Sequence, residues 1–150
     1  MPEMFSIQVT GLKELEKKLI ELGPKIAKKA LKGALVAGAR EVRKEAQLLA
    51  PENTGRLRKA MYIKGMSKPN PFRENVIFGV RHGKKLQKVA NKKFGLQGLD
   101  AYYWTFQEFG TKFVKAIHFV EQAFKNSRER AEAKFKAALA INISRIVKGN

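Results

Sequence analysis

Cysteine is absent from the 150 residues. That excludes a disulfide framework, a thiolate zinc site, an iron–sulfur cluster and a cysteine nucleophile. Histidine occurs only as His82 and His118, and neither has a second ligand at metal-site spacing. His82 reads as a solvated turn residue. His118 reads as an N-terminal cap or an interface residue ahead of the last helix. The serines form no nucleophile elbow, and no glycine-rich loop suits a phosphate. An enzyme would need a carboxylate or histidine cluster that these positions do not supply, so neither catalysis nor a cofactor is expected. No apolar run approaches the ~18 residues of a membrane span. The first residues lack the basic stretch and apolar run of a secretory leader, so a protein made inside the cell, with no membrane partner, is expected.

Acid is scarce as well. Asp and Glu number 13 against 31 Lys and Arg, a net charge of +18. Hydrophobic residues still make up 44%, which is ordinary for a globular chain and argues against disorder. The length suits a single domain spanning residues 1–150.

Periodicity gives the elements. Phe5 to Thr10 alternates as a short strand, and Thr10 is placed to cap a helix from Leu12 to Leu22. Leu12, Leu15, Leu19 and Leu22 form its apolar stripe. Gly23-Pro24 ends that helix and begins another, running to Leu49. Ile26, Ala30, Leu31, Ala34, Leu35, Val42 and Leu49 share one side of it, opposite a row of lysines and arginines. Ala50 to Gly55 is a turn. Extended segments are expected from Leu57 to Gly65 and from Asn75 to Val80, as a hairpin. Gly83 to Gly98 fits either a basic loop or a short basic helix. Ala101 to Phe109 is aromatic and is expected to be a strand broken by Gly110-Thr111. A last helix spans His118 to Val147. The pattern implies an α+β domain: a small antiparallel sheet packed with one long helix from each half of the chain.

The charge is concentrated. Residues 56–93 hold twelve Lys or Arg and one acid, Glu74. Such density neutralises phosphates without reading bases, and no base-reading motif is present. A free-standing DNA-binding protein without sequence preference is one reading of that charge. Glu108 lies among Tyr102, Tyr103, Trp104, Phe106 and Phe109. It either faces water from a strand or forms a salt bridge, with Arg56 and Arg58 as candidate partners.

Two pieces of sequence then gain meaning together: Ala50-Pro51-x-x-Thr54-Gly55-x-Leu57-Arg58, and Tyr103-x-x-Phe106-x-Glu108-Phe109-Gly110-Thr111. Ala116-x-x-Phe119-x-x-x-Ala123-Phe124 follows. In this order they resemble the tail-completion, or head–tail joining, family of long-tailed siphophages, the "gene product ten" family of Hong-Kong-type phages. The resemblance implies a structural virion protein, made in the cytoplasm of a bacterial host. It would sit at the neck as one subunit of a hexameric ring around the DNA channel. Its partners would be other copies of itself, the head connector, the tail tube or terminator proteins, and phage DNA without sequence preference. By the same resemblance, Pro51, Thr54 and Gly55 shape a tight connection, and Leu57 and Arg58 anchor the first strand. Glu108, Phe109, Gly110 and Thr111 close the sheet and turn into the last helix, which Phe119 opens. Lys84, Lys85, Lys88, Lys92 and Lys93 would face the channel or the connector.

Overall fold

The computed structural model describes residues 12–52, 55–67, 74–82 and 101–149. The expected strand at Phe5 to Thr10, Thr54 and the lysine-rich segment from Gly83 lie outside them. The described elements are α1 (Lys13–Glu21), α2 (Pro24–Leu49), α3 (Arg56–Ala60), β1 (Met61–Ser67), β2 (Glu74–Val80), α4 (Trp104–Phe109) and α5 (Phe119–Lys148). The two strands pair as an antiparallel sheet, so the α+β class holds.

The chain forms two compact units. One comprises Met1–Val42, Ile63–Ile77 and Ser127–Asn150; the other comprises Arg43–Tyr62 and Phe78–Asn126.

The first unit is built on helical periodicity. Ala30 and Ala34 of α2 form a buried cluster with Phe135, Leu139 and Ile143 of α5, and Leu12, Leu15, Leu19 and Leu22 pack against it. The leucine stripe therefore does what its spacing predicts. Gly38 lets the two long helices approach closely: a Cβ there would stand 2.8 Å from the carbonyl oxygen of Ala131. The Asn142 amide adds a hydrogen bond across the pair, donating to the Ala30 carbonyl at 3.1 Å.

The break between α1 and α2 follows the sequence rule. Gly23 takes φ +83° and donates to the Ile20 carbonyl, and Pro24 opens α2 with its φ already fixed. α1 begins after Leu12, which makes no side-chain cap, and the Thr10 of the expected cap lies outside the described residues.

β2 begins in this unit at Glu74, whose side chain is wholly enclosed. Neither of its carboxylate oxygens has a hydrogen-bond partner. Its counter-ion is Lys28, with Nζ 3.8 Å from Oε1.

The second unit departs from two sequence expectations. Leu57 to Ala60 is not strand but part of α3. Gly55, at φ +66°, turns the chain, and its carbonyl accepts the Lys59 N–H at 3.2 Å. Arg56 to Ala60 are good helix formers, and Leu57 and Ala60 share the buried side at a spacing of three. The strand starts only at Met61.

Likewise, Ala101 to Phe109 is not a strand. Tyr102 and Tyr103 form a turn, and Trp104 to Phe109 is helix α4. Strand propensity spans only about 1 kcal/mol and yields to tertiary context. Here the helical path sets Tyr102 against Phe106, four residues on, with ring centroids 6.4 Å apart. It also aims Glu108 inward. β2 continues into this unit, where Phe78 meets Phe124 edge to face at 6.4 Å.

Candidate functional site

The second unit contains both pieces of the sequence resemblance. In the first piece, Pro51 is half-buried after the end of α2, and Leu57 is 1% exposed. Arg58 ties the connection back on itself. Its Nη1 pairs with Glu52 Oε1 at 2.5 Å, and its carbonyl accepts the Gln47 side-chain amide at 2.9 Å. Its role is therefore to close the α2–α3 turn. It does not anchor a strand, and it is not the partner of Glu108.

The second piece forms a junction between α4 and α5. A helix N-terminus leaves its first N–H groups unsatisfied and carries a partial positive charge. Residue His118 occupies the cap position of α5, with its carbonyl accepting the Gln122 N–H at 2.9 Å. Its φ is +54°, a left-handed conformation, and its side chain caps nothing, its Nδ1 lying 3.6 Å from Glu121 Oε2.

The cap comes instead from Glu108, at the end of α4. Oε2 accepts the Val120 N–H at 2.8 Å, and Oε1 accepts the Glu121 N–H at 3.1 Å. The carboxylate is thus split between two adjacent helix donors. Glu108 is 1% exposed. Neither the water-facing strand position nor the salt bridge to Arg56 or Arg58 describes it. The positive end of α5 supplies the complementary charge.

The rest of the piece makes this reach possible. Gly110 ends α4, donating to the Phe106 carbonyl at 2.9 Å. Its φ is +74°, and a Cβ would come within 2.9 Å of the Ala116 nitrogen. Both the conformation and the space demand glycine. Thr111 then folds the loop. Its hydroxyl oxygen accepts the N–H groups of Phe113 (3.2 Å) and Val114 (3.0 Å), and its own N–H donates to the Val114 carbonyl at 2.8 Å. Ile117 donates to the Gln107 carbonyl at 2.7 Å, closing the loop against α4. Phe119 follows at 0% exposure. Glu108, Gly110 and Thr111 thus join two helices; they do not close a sheet.

Phe109 is 48% exposed, one of several exposed apolar side chains in this stretch. Tyr102, Phe106, Phe113, Val114 and Ile117 are exposed with it, Phe113 at 90%. Periodicity gave no hint of this exposure, because Phe113 stands in a loop between Lys112 and Lys115. A bulky aromatic flanked by cations in a polar loop was the available signal.

No described helix is long and apolar enough to cross a membrane, and no three His, Asp or Glu residues among those described gather as a metal site. The motif side chains spend their chemistry on caps, turns and a docked loop. These features define a structural protein whose motifs shape its backbone. The model of the family described as bacteriophage HK97-gp10, a tail component, matches residues 13–110, and the chain belongs to that HK97-gp10-like family. It is a phage tail component, a structural part of the virion. The match takes in the Ala50-to-Arg58 piece and runs through Gly110. No curated protein and no solved structure matches the chain.

Proposed function

We propose that the chain is a head–tail joining subunit at the virion neck, repeated as a sixfold ring around the DNA channel. It would bind the head connector on one side and the tail tube or terminator protein on the other. The observation that carries this reading is family membership across residues 13–110 in a chain of net charge +18. A channel for DNA should attract phosphates loosely and read no bases, because sequence-independent backbone contacts permit sliding. Lys84, Lys85, Lys88, Lys92 and Lys93 are the proposed channel or connector contacts. The protein has no catalytic step, metal or cofactor in this role. It is made in the cytoplasm of the bacterial host and works in the assembled particle, as one domain of residues 1–150.

The test is electron microscopy of lysates from the parent phage with this gene deleted. Heads and tails lying apart are the expected outcome. Normal joined virions would remove the neck assignment. The charge would then favour the second reading, a free-standing DNA-binding protein, whose affinity for duplex would fall steeply with added salt.

A further inference from the structure

The exposed apolar side chains of residues 102–117 are not explained by the fold. Among the described residues, twelve large apolar side chains are exposed, and six of them fall within these sixteen positions: Tyr102, Phe106, Phe109, Phe113, Val114 and Ile117. Single exposed apolar residues are ordinary, whereas a cluster marks an interaction site.

Phe113 is the extreme case at 90% exposure. Its backbone is not loose. The Thr111 hydroxyl accepts the N–H groups of Phe113 and Val114, and Thr111 donates in return to Val114. The ring therefore stands on an ordered turn with only two side-chain torsions left to fix. Binding through such a residue costs little entropy, which is why rigid aromatic anchors dominate interfaces.

The charge around it selects the partner. Lys112 and Lys115 are both exposed and flank Phe113 in sequence, and Lys112 Nζ lies 5.9 Å from the ring centre. The one acid between residues 101 and 118 is Glu108, and it is buried under two backbone N–H groups. The exposed side chains of this stretch are thus apolar and cationic with no carboxylate among them, and Glu121 beyond it is already paired with Lys125. Docked on a second copy, this stretch would meet either the same lysines or another face of a chain with net charge +18, which is unfavourable. Stacking on nucleic-acid bases would use the aromatic rings and leave Val114 and Ile117 idle.

We propose that residues 102–117 form a docking surface for a different virion protein, one with an apolar pocket rimmed by carboxylates, and that Phe113 is the anchor. This rests on the chain being a virion component and not on its position at the neck.

The test places the photoreactive phenylalanine analogue p-benzoylphenylalanine at position 113 in assembled particles and identifies what it captures by sequencing the cross-linked peptide. The expected peptide belongs to another virion protein and carries at least two Asp or Glu within about one helical turn of the attachment. Capture of a second copy of this chain, capture of DNA, or no capture would overturn the proposal.

A companion variant, Phe113→Ser, is expected to lower phage titre by at least about tenfold, the loss of one interface anchor. The double variant Lys112→Glu/Lys115→Glu should do the same by reversing the local charge. Both purified variants should melt at the wild-type temperature, because the side chains they change are exposed. An unchanged titre for Phe113→Ser would sink the anchor assignment. Joined virions in the gene deletion would remove the neck position while leaving the cross-link result standing.

Discussion

Among the described residues two glutamates are buried, one in each unit, and they are held in opposite ways. Glu108 divides its two oxygens between adjacent N–H groups at the start of α5. Among the described residues, Glu74 has no hydrogen bond to either oxygen and faces the Lys28 ammonium at 3.8 Å. Burial of a carboxylate is expensive in both places. At Glu108 the cost is offset by donors that would otherwise be unsatisfied themselves, so acid and helix end solve each other's problem. At Glu74 the offset seen among the described residues is an ion pair of loose geometry. Such pairs roughly balance their desolvation. Burial alone therefore does not say whether an acid holds a fold together; the number and kind of its donors do.

The largest expected effect breaks the first half of that comparison. Glu108→Ala removes the cap, opens a void and strands two N–H groups, and should cost about 3 kcal/mol of unfolding free energy. Glu108→Gln keeps the shape but offers one acceptor to two donors, and should cost about half as much. Denaturant titration gives the energies. Amide hydrogen exchange gives the location, since Val120 and Glu121 should lose protection first. A cost below about 0.5 kcal/mol for Glu108→Ala would show that the carboxylate does not hold the junction.

The next effect sharpens the other half. Glu74→Gln removes a buried charge together with its weakly placed ion pair, and should cost less than about 1 kcal/mol. Denaturant titration of Glu74→Gln beside Glu108→Gln is the direct comparison. If Glu74→Gln proved the more costly of the two, donor count would be the wrong criterion.

The contrast also explains how much could be seen in advance. The first unit was legible because its chemistry is periodic: the leucines of α1 and the Ala30, Ala34, Phe135 and Leu139 positions recur at helical spacing. Gly23-Pro24 was legible because conformation alone dictates it. The junction was not. Glu108 satisfies groups twelve and thirteen residues away, and no local pattern encodes such a reach. Ala101 to Phe109, rich in aromatics, read as strand, yet Trp104 to Phe109 are helix, with Glu108 aimed at the α5 cap. Leu57 to Ala60 failed for a related reason, because the left-handed Gly55 started a helical turn before the strand could begin. The Glu-Phe-Gly-Thr order was recognisable as a motif, but its mechanism needed coordinates.

The smallest effect concerns the acid next to the cap. Glu121 donates its N–H to Glu108 while its own carboxylate points outward to Lys125. A hydrogen bond from Lys125, then the charge of Lys125, holds the Glu121 carboxyl below its ordinary value; slight desolvation opposes this, and His118 assists. The sign follows from linkage. A depressed folded value means the group stabilises the fold at pH above its unfolded value, and that contribution fades as the pH falls through the folded one. Lys125→Met should therefore lower the denaturation midpoint slightly at pH 7, with the difference shrinking below about pH 4 as the carboxylate is protonated. Because the pair is exposed, added salt should shrink it too. The Glu108 cap should respond differently to the same salt titration, since its charge is buried against fixed backbone dipoles. A Glu108→Gln penalty that faded with salt as readily as the Lys125→Met penalty would mean that solvent reaches the junction.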